Sequence, residues 1–313
     1  MNEKLEQILI KKVKKDPLCL KDIKEQTEAV CLEAVKRDGH ALKYVNDETE
    51  IICIEAVKQN GHALEHVKDQ TEEICLAAVK EKGYALYYVK NQTEAICLEA
   101  VKEDANALVY VKDQTKQICL AAVKIDGKAI RYVKNKTKDI CLEAVRQNGY
   151  AIEYIKNQTP EICLAAVKQN GLDLDYIKNQ TPEICLAAVK QNGYALMYVK
   201  DQTENICLEA VKENGEVLQY VKHQNDKICK EALINDFNGS IKFVAVKEKS
   251  TAMTVLEAFI KNSIKHKVIL TKILNKFNKD QEILDFYTKH NLWKYVNFSR
   301  LKNHTLFQYG MSL

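Results

Sequence analysis

The chain has 313 residues, 46% of them apolar and 29% charged, with a formal net charge of +4. That balance excludes a disordered chain, and the longest apolar runs, such as Ile118 to Val123, are far shorter than the ~18 residues of a membrane helix. Residues 27–224 carry 25 Lys+Arg against 30 Asp+Glu while residues 225–313 carry 15 against 8, which argues against a body built throughout to follow a phosphate backbone.

Residues 1–26 predict an imperfect helical pair. Leu9, Ile10 and Val13 mark a first helix, and Cys19, Leu20 and Ile23 a second, with Pro17 between them. This pair reads as an N-terminal capping repeat. Its opening residues are charged too early and too evenly for a secretory signal, so a cytoplasmic setting is expected.

From Thr27 to Gln224 nine repeats follow. Ten cysteines, from Cys31 and Cys53 to Cys207 and Cys229, stand 22 residues apart. A fixed period of this size predicts an α-solenoid, in which each repeat buries its apolar face only against its neighbours. Equivalent atoms of packed helices lie ~8–10 Å apart. A disulfide needs Cα atoms within ~7 Å, and sulfurs sharing a zinc must each lie ~2.3 Å from it. The cysteines are therefore expected to be small buried apolar side chains in a reducing compartment, and neither a metal nor another cofactor is expected.

The repeat Thr181 to Gln202 stands for the others. Thr181 is the expected N-cap, and Pro160 and Pro182 fit the first helical position. Ile184, Cys185, Ala188 and Val189 share one face, with Leu186 at its edge. Asn192-Gly193 then stops the helix, Gly193 suiting the left-handed conformation common past a helix end. Ala105 stands where other repeats have this glycine, which would cost roughly 1 kcal/mol in a left-handed position. A second, shorter element carries Ala195, Leu196, Tyr198 and Val199. It is expected to be α-helical or partly 3-10, because nothing caps its start.

Beyond Asn225 the pattern decays, with a small insertion around Asp236 to Ser240. Three further helices are expected, carrying Val255, Phe259 and Ile260, then Val268, Ile269, Ile273 and Leu274, then Ile283, Leu284 and Phe286, and ending near Leu292 to Phe298. The fold class is all-α: an α-solenoid of tandem 22-residue two-helix repeats with helical caps. Its expected divisions are 1–26, the capping repeat; 27–248, nine regular repeats and one degenerate one; and 249–313, a helical cap or small helical domain.

The string Ile-Cys-Leu-Glu/Ala-Ala-Val-Lys-x-Asn-Gly-x-Ala-Leu-x-Tyr-Val resembles the repeat family called domain of unknown function 4116, over roughly residues 27–248. The resemblance implies no activity and no catalytic residues. The family's occurrence in large DNA viruses and some bacteria implies a role in virus-host or bacterium-host conflict, such as inhibiting or blocking a partner.

Within the chain, constant positions mark scaffold and variable ones mark free surface. The fourteenth, seventeenth and twenty-first residues of each repeat are expected to face away from Leu196 and Val199. The fourteenth and seventeenth change in almost every repeat. They supply the candidate binding residues His40, Lys43, His62, Glu65, Tyr84, Tyr87, Val109, Lys128, Arg131, Tyr150, Glu153, Leu172, Asp175, Tyr194 and Met197. If the second elements line the inner side of the solenoid, this stripe is the surface on which a partner protein is expected. Neutral drift at tolerant positions is the alternative.

The outward face of the first helix is monotonous, with Glu or Ala at the seventh position and Lys or Arg at the tenth. Lysine ladders at the tenth and twentieth positions sit at helix ends, where a cation is favourable without any ligand. One basic cluster stands out: Lys116, Lys124, Lys128, Arg131, Lys134, Lys136 and Lys138. It would meet an acidic partner surface or a phosphate, or else balance the acidic repeats beside it.

His62 and His66 have the spacing of a metal pair without a third ligand. No nucleophile elbow or phosphate-cradling glycine loop is present. His266, His290, Arg300 and His304 form no motif, so no enzyme is expected. The leading expectation is a non-catalytic scaffold that binds another protein. An RNA-binding helical repeat protein, or an inhibitor of a nucleic-acid-targeting host defence complex, is the alternative.

Overall fold

Most repeats begin where their threonine caps a helix. Thr93 Oγ1 accepts the Ile96 amide at 3.3 Å, and Thr49, Thr71, Thr115, Thr181 and Thr203 repeat the bond at 3.3–3.4 Å. An α-helix of ten residues follows, as in Glu50–Gln59, Glu94–Glu103 and Pro182–Gln191. Its buried face is the one the spacing predicts: Ile184, Cys185, Ala188 and Val189 are all at most 3% exposed. A six-residue 3-10 helix comes next, as in Gly61–His66 and Gly193–Tyr198, burying an alanine and a leucine. Fully burying one such leucine contributes about 1.5–3 kcal/mol.

The computed structural model describes residues 3–246, 248–262 and 267–300. All its regular elements are helical among the described residues. The chain divides into two units, Met1–Ala166 and Val167–Leu313, the division falling inside the helix Pro160–Gln169. Within each unit the repeats stack: first helix packs on first helix and 3-10 helix on 3-10 helix. The fold is thus an all-α solenoid of tandem helix pairs. The first unit begins with Glu3–Lys15 and Pro17–Asp22, which bury Val13, Cys19 and Leu20. The second ends in the helices Lys249–Asn262, Lys267–Lys276 and Gln281–Lys289.

Two local expectations are corrected. The second element is 3-10 throughout, and its start is capped. Asn192 has φ −155° and ψ 113°, ends the α-helix through its amide, and accepts the Tyr194 amide with its side chain at 3.0 Å. Asp38, Asn60, Asp104, Asp126, Asn148 and Asn214 do the same. The residue that stops one helix therefore starts the next.

The glycine is also not left-handed. Among the described residues only Asn291 has positive φ, 52°. Gly193 and its counterparts are needed for close approach instead. A Cβ on Gly127 would stand 2.3 Å from the Ala144 carbonyl oxygen of the next repeat. The Gly127 amide meanwhile donates to Gln147 Oε1 at 2.6 Å. Ala105 takes this place in its repeat with negative φ, so the left-handed penalty does not arise.

In the C-terminal helices Val255, Phe259, Ile269, Ile273, Leu274 and Ile283 form a core with Tyr287 and Trp293. Ile260 and Val268 do not join it; they are 38% and 43% exposed. Each neighbours a buried residue, and one residue turns a side chain by about 100° around the helix. Leu284 and Phe286 lie at the core's margin. Tyr287 donates from its hydroxyl to the Leu270 carbonyl at 2.7 Å, which satisfies the one polar atom it buries.

Candidate binding surface

The seventeenth residue of every repeat is exposed: Lys43, Glu65, Tyr87, Val109, Arg131, Glu153, Asp175, Met197 and Gln219. Among them Tyr87 is 65%, Val109 46% and Met197 47% exposed, unusual values for large apolar groups. The fourteenth residues behave differently. His40 and Lys128 are exposed, but His62, Tyr84, Tyr150, Leu172 and Tyr194 are half-buried.

In several repeats the fourteenth residue reaches the eighteenth of the next and the two rings meet edge to face, whereas Tyr150 meets Tyr154 of its own repeat at 5.9 Å. His40 meets His66 at 6.0 Å between centroids, His62 meets Tyr88 at 5.8 Å, and Tyr84 meets Tyr110 at 5.6 Å. In the second unit Tyr194 meets Tyr220 at 6.3 Å. Such pairs contribute about 0.5–1.5 kcal/mol beyond burial. The eighteenth residue, expected to be core, is half-buried and forms the other half of this ladder. His62 and His66 accordingly turn to different rings, and the described residues hold no group of three metal-ligating side chains.

The seventeenth residues lean on the same rings. Tyr87 packs on Tyr88 at 5.1 Å and on Tyr110 at 5.4 Å. Lys43 lies over Tyr44 at 4.7 Å and Arg131 over Tyr132 at 4.6 Å, while Lys128 lies over Tyr150 at 5.1 Å. Arg131 also donates to Asn106 Oδ1 at 2.9 Å. Hydrogen bonds to Glu153 and Tyr154 raise the Tyr150 hydroxyl above the ordinary tyrosine range, and a bond to Glu216 at 3.1 Å raises that of Tyr194. In the first unit Tyr84, Tyr87, Tyr88 and Tyr110 thus form one aromatic patch.

Many of the ladder lysines are occupied within the fold. At the twentieth position Lys90, Lys112, Lys134, Lys200 and Lys222 each donate from Nζ to the carbonyl of the residue 22 places earlier, at 2.8–2.9 Å. At the tenth position Lys36 pairs with Glu55 of the next repeat at 3.9 Å and Lys190 with Glu209 at 3.6 Å. The basic cluster is dispersed too, with Lys116 paired to Asp139 and Lys138 to Glu161.

The glutamine that ends most repeats, unremarked in the residue pattern, clamps successive repeats together. Gln92 Nε2 donates to the Leu86 and Tyr110 carbonyls at 3.3 and 3.0 Å. Its Oε1 accepts the Lys112 amide at 2.9 Å and the Cys97 thiol at 3.7 Å. Gln70, Gln114, Gln180 and Gln202 reproduce all four bonds. The recurrence of glutamine at this position in seven of the nine repeats was the available signal. The cysteines are buried and free, as expected, but also weak donors to the clamp. Burial raises their thiols, to about 11 for Cys31, Cys53 and Cys229.

No helix among the described residues is long and apolar enough to cross a membrane. Neither the curated proteins nor the solved structures contain a match to this chain. The family described as domain of unknown function (DUF4116) matches residues 27–71, 49–94, 93–137, 115–159 and 159–202. These overlapping matches step along the 22-residue period and together cover more than half of the 313 residues. The repeats therefore place the chain in the DUF4116 family.

Proposed function

We propose that the chain is a non-catalytic scaffold that binds another protein through the variable stripe of its second elements, blocking or sequestering that partner in a reducing compartment. The observation that supports this reading is the exposure of Tyr87, Val109 and Met197, with Tyr87 packed on the rings of Tyr88 and Tyr110. Exposed aromatic and apolar groups held rigid by neighbours act as interface anchors at low entropic cost. Scaffold positions repeat from one 22-residue copy to the next while these do not, as a recognition surface on a constant frame requires.

The test replaces Tyr87, Val109 and Met197 with Ser, since these side chains are the exposed ones, and leaves Tyr84, Tyr150 and Tyr194 in place to preserve packing. Affinity capture from host lysate treated with nuclease, with melting measured in parallel, reads the outcome. The triple variant is expected to fold and to lose its captured partner. A folded variant that retains the same partner at the same level contradicts the reading. The RNA alternative is disfavoured by the ladder lysines, whose ammonium groups are held by carbonyls.

A further inference from the structure

We infer that the joint between the fifth and sixth repeats is a phosphate-binding site. The glutamine clamp is replaced there by Lys136. A lysine has no acceptor, so it cannot take the next repeat's amide, and its ammonium instead turns back to the Val133 carbonyl at 2.8 Å. Cys141, deprived of the glutamine oxygen, points its thiol to the Lys136 carbonyl at 3.7 Å.

What remains is a cavity of about 350 Å³. Lys134, Lys136, Lys138 and Lys156 line it together with Tyr154 and Thr159, and no carboxylate does. Lys134 is engaged with the Val111 and Lys112 carbonyls, and Lys138 with Glu161. Lys136 keeps protons to donate beyond its one carbonyl bond.

Lys156 departs from its ladder. Lys90, Lys112 and Lys134 each give their amide to a glutamine oxygen and their ammonium to a carbonyl. Lys156 makes neither bond among the described residues, leaving an unpaired amide and an unpaired ammonium at the same joint.

The missing group is therefore an acceptor. An uncompensated positive potential and an unpaired main-chain donor both favour an anion. Two ammonium groups and an amide suit a doubly charged tetrahedral oxyanion with several acceptor oxygens better than a planar, singly charged carboxylate. The basic cluster of the fifth repeat thereby gains a role at one joint, although most of its members are paired elsewhere.

Inorganic phosphate is the probe, titrated calorimetrically into the full chain against chloride of matched ionic strength, with amide hydrogen exchange followed at Lys156. Phosphate is expected to bind and to slow exchange at Lys156. Lys136→Gln restores the repeat's own clamp, so it is expected to fold and to bind phosphate at least about tenfold more weakly, the loss of one charge-assisted bond. Lys156→Gln, which leaves the joint open, is expected to weaken binding similarly and serves if the first variant does not fold. Undiminished phosphate binding by a folded variant overturns the proposal, as does a parent chain that responds to phosphate no more than to chloride.

Discussion

Gln92 Oε1 accepts the Lys112 amide at 2.9 Å, so the last residue of one repeat closes an open donor near the end of the next. The same side chain holds the Tyr110 carbonyl, and adds a second bond to the Leu86 carbonyl, which already accepts the Val89 amide at 3.2 Å. Replacing it with Ala leaves the Lys112 amide and the Tyr110 carbonyl without these partners at a part-buried joint, and Q92A is expected to lose about 1–3 kcal/mol. Q92E keeps an acceptor for Lys112 but offers no donor to the carbonyls, so it should fall between. Urea unfolding of the three proteins tests this order; coincident curves would contradict it.

Asp173 gives the array a dependence on pH. It stands where most repeats have alanine, is 3% exposed, and receives one bond, from Asn170 Nδ2 at 3.2 Å. Its other oxygen, Oδ2, has no partner. Burial raises its carboxyl to about 6, opposed by the Asn170 bond. The folded state therefore binds the proton more tightly than the unfolded one, whose carboxyl titrates near ~3.9. Stability should rise as pH falls from about 6 toward 4, and the ionised carboxylate should cost roughly 3 kcal/mol at pH 7. Asp173→Ala should be more stable than the parent at pH 7, and the difference should shrink at pH 4. Melting both proteins across that range measures it.

Thr137 lacks the carboxylate partner of its counterparts because Lys116 stands where the acidic residue would be. Thr93 donates to Glu72 at 2.9 Å and Thr115 to Glu94 at 2.8 Å. Lys116→Glu is expected to restore this bond to Thr137 and to stabilise by about 0.5–1.5 kcal/mol, the surface pair with Asp139 being worth little. A melting temperature at or below that of the parent would contradict the account.

The eleven thiols should be silent in the folded chain. With burial raising them, to about 11 for three, only about one Cys31 thiol in a thousand would be ionised at pH 8 even if reagent reached it. Mass-spectrometric counting after maleimide treatment should find labelling that follows unfolding in denaturant. Rapid labelling of any of them in buffer would show a joint open in the native state.

The architecture was legible because it is written ten times. Thr181 as a cap, the Ile184, Cys185, Ala188 and Val189 face and the 22-residue interval are all local signals, and helices of ten residues follow from them. What stayed hidden was contact between copies. Asn192 read as a stop was also a start, because a 3-10 helix needs a cap at its second amide. Gly193 read as a matter of φ was a matter of the neighbour's carbonyl. The terminal glutamine went unremarked, since three of its four partners belong to the next repeat. On the candidate surface, the seventeenth residues stand out as the pattern suggested. Tyr84 and Tyr194, at the fourteenth position, meet rings a repeat away, Tyr110 and Tyr220, which no reading of one repeat contains.

The clamp also governs how such a gene can change length. Because a glutamine joint takes its amide from one copy and its acceptor from the one before, a cut and rejoin between the same positions of two such copies reproduces a sound joint. An insertion of any other size does not. The near identity of Thr159 to Gly171 with Thr181 to Gly193 fits growth by that route. A new copy would arrive already fastened, with only its fourteenth and seventeenth residues left to diverge.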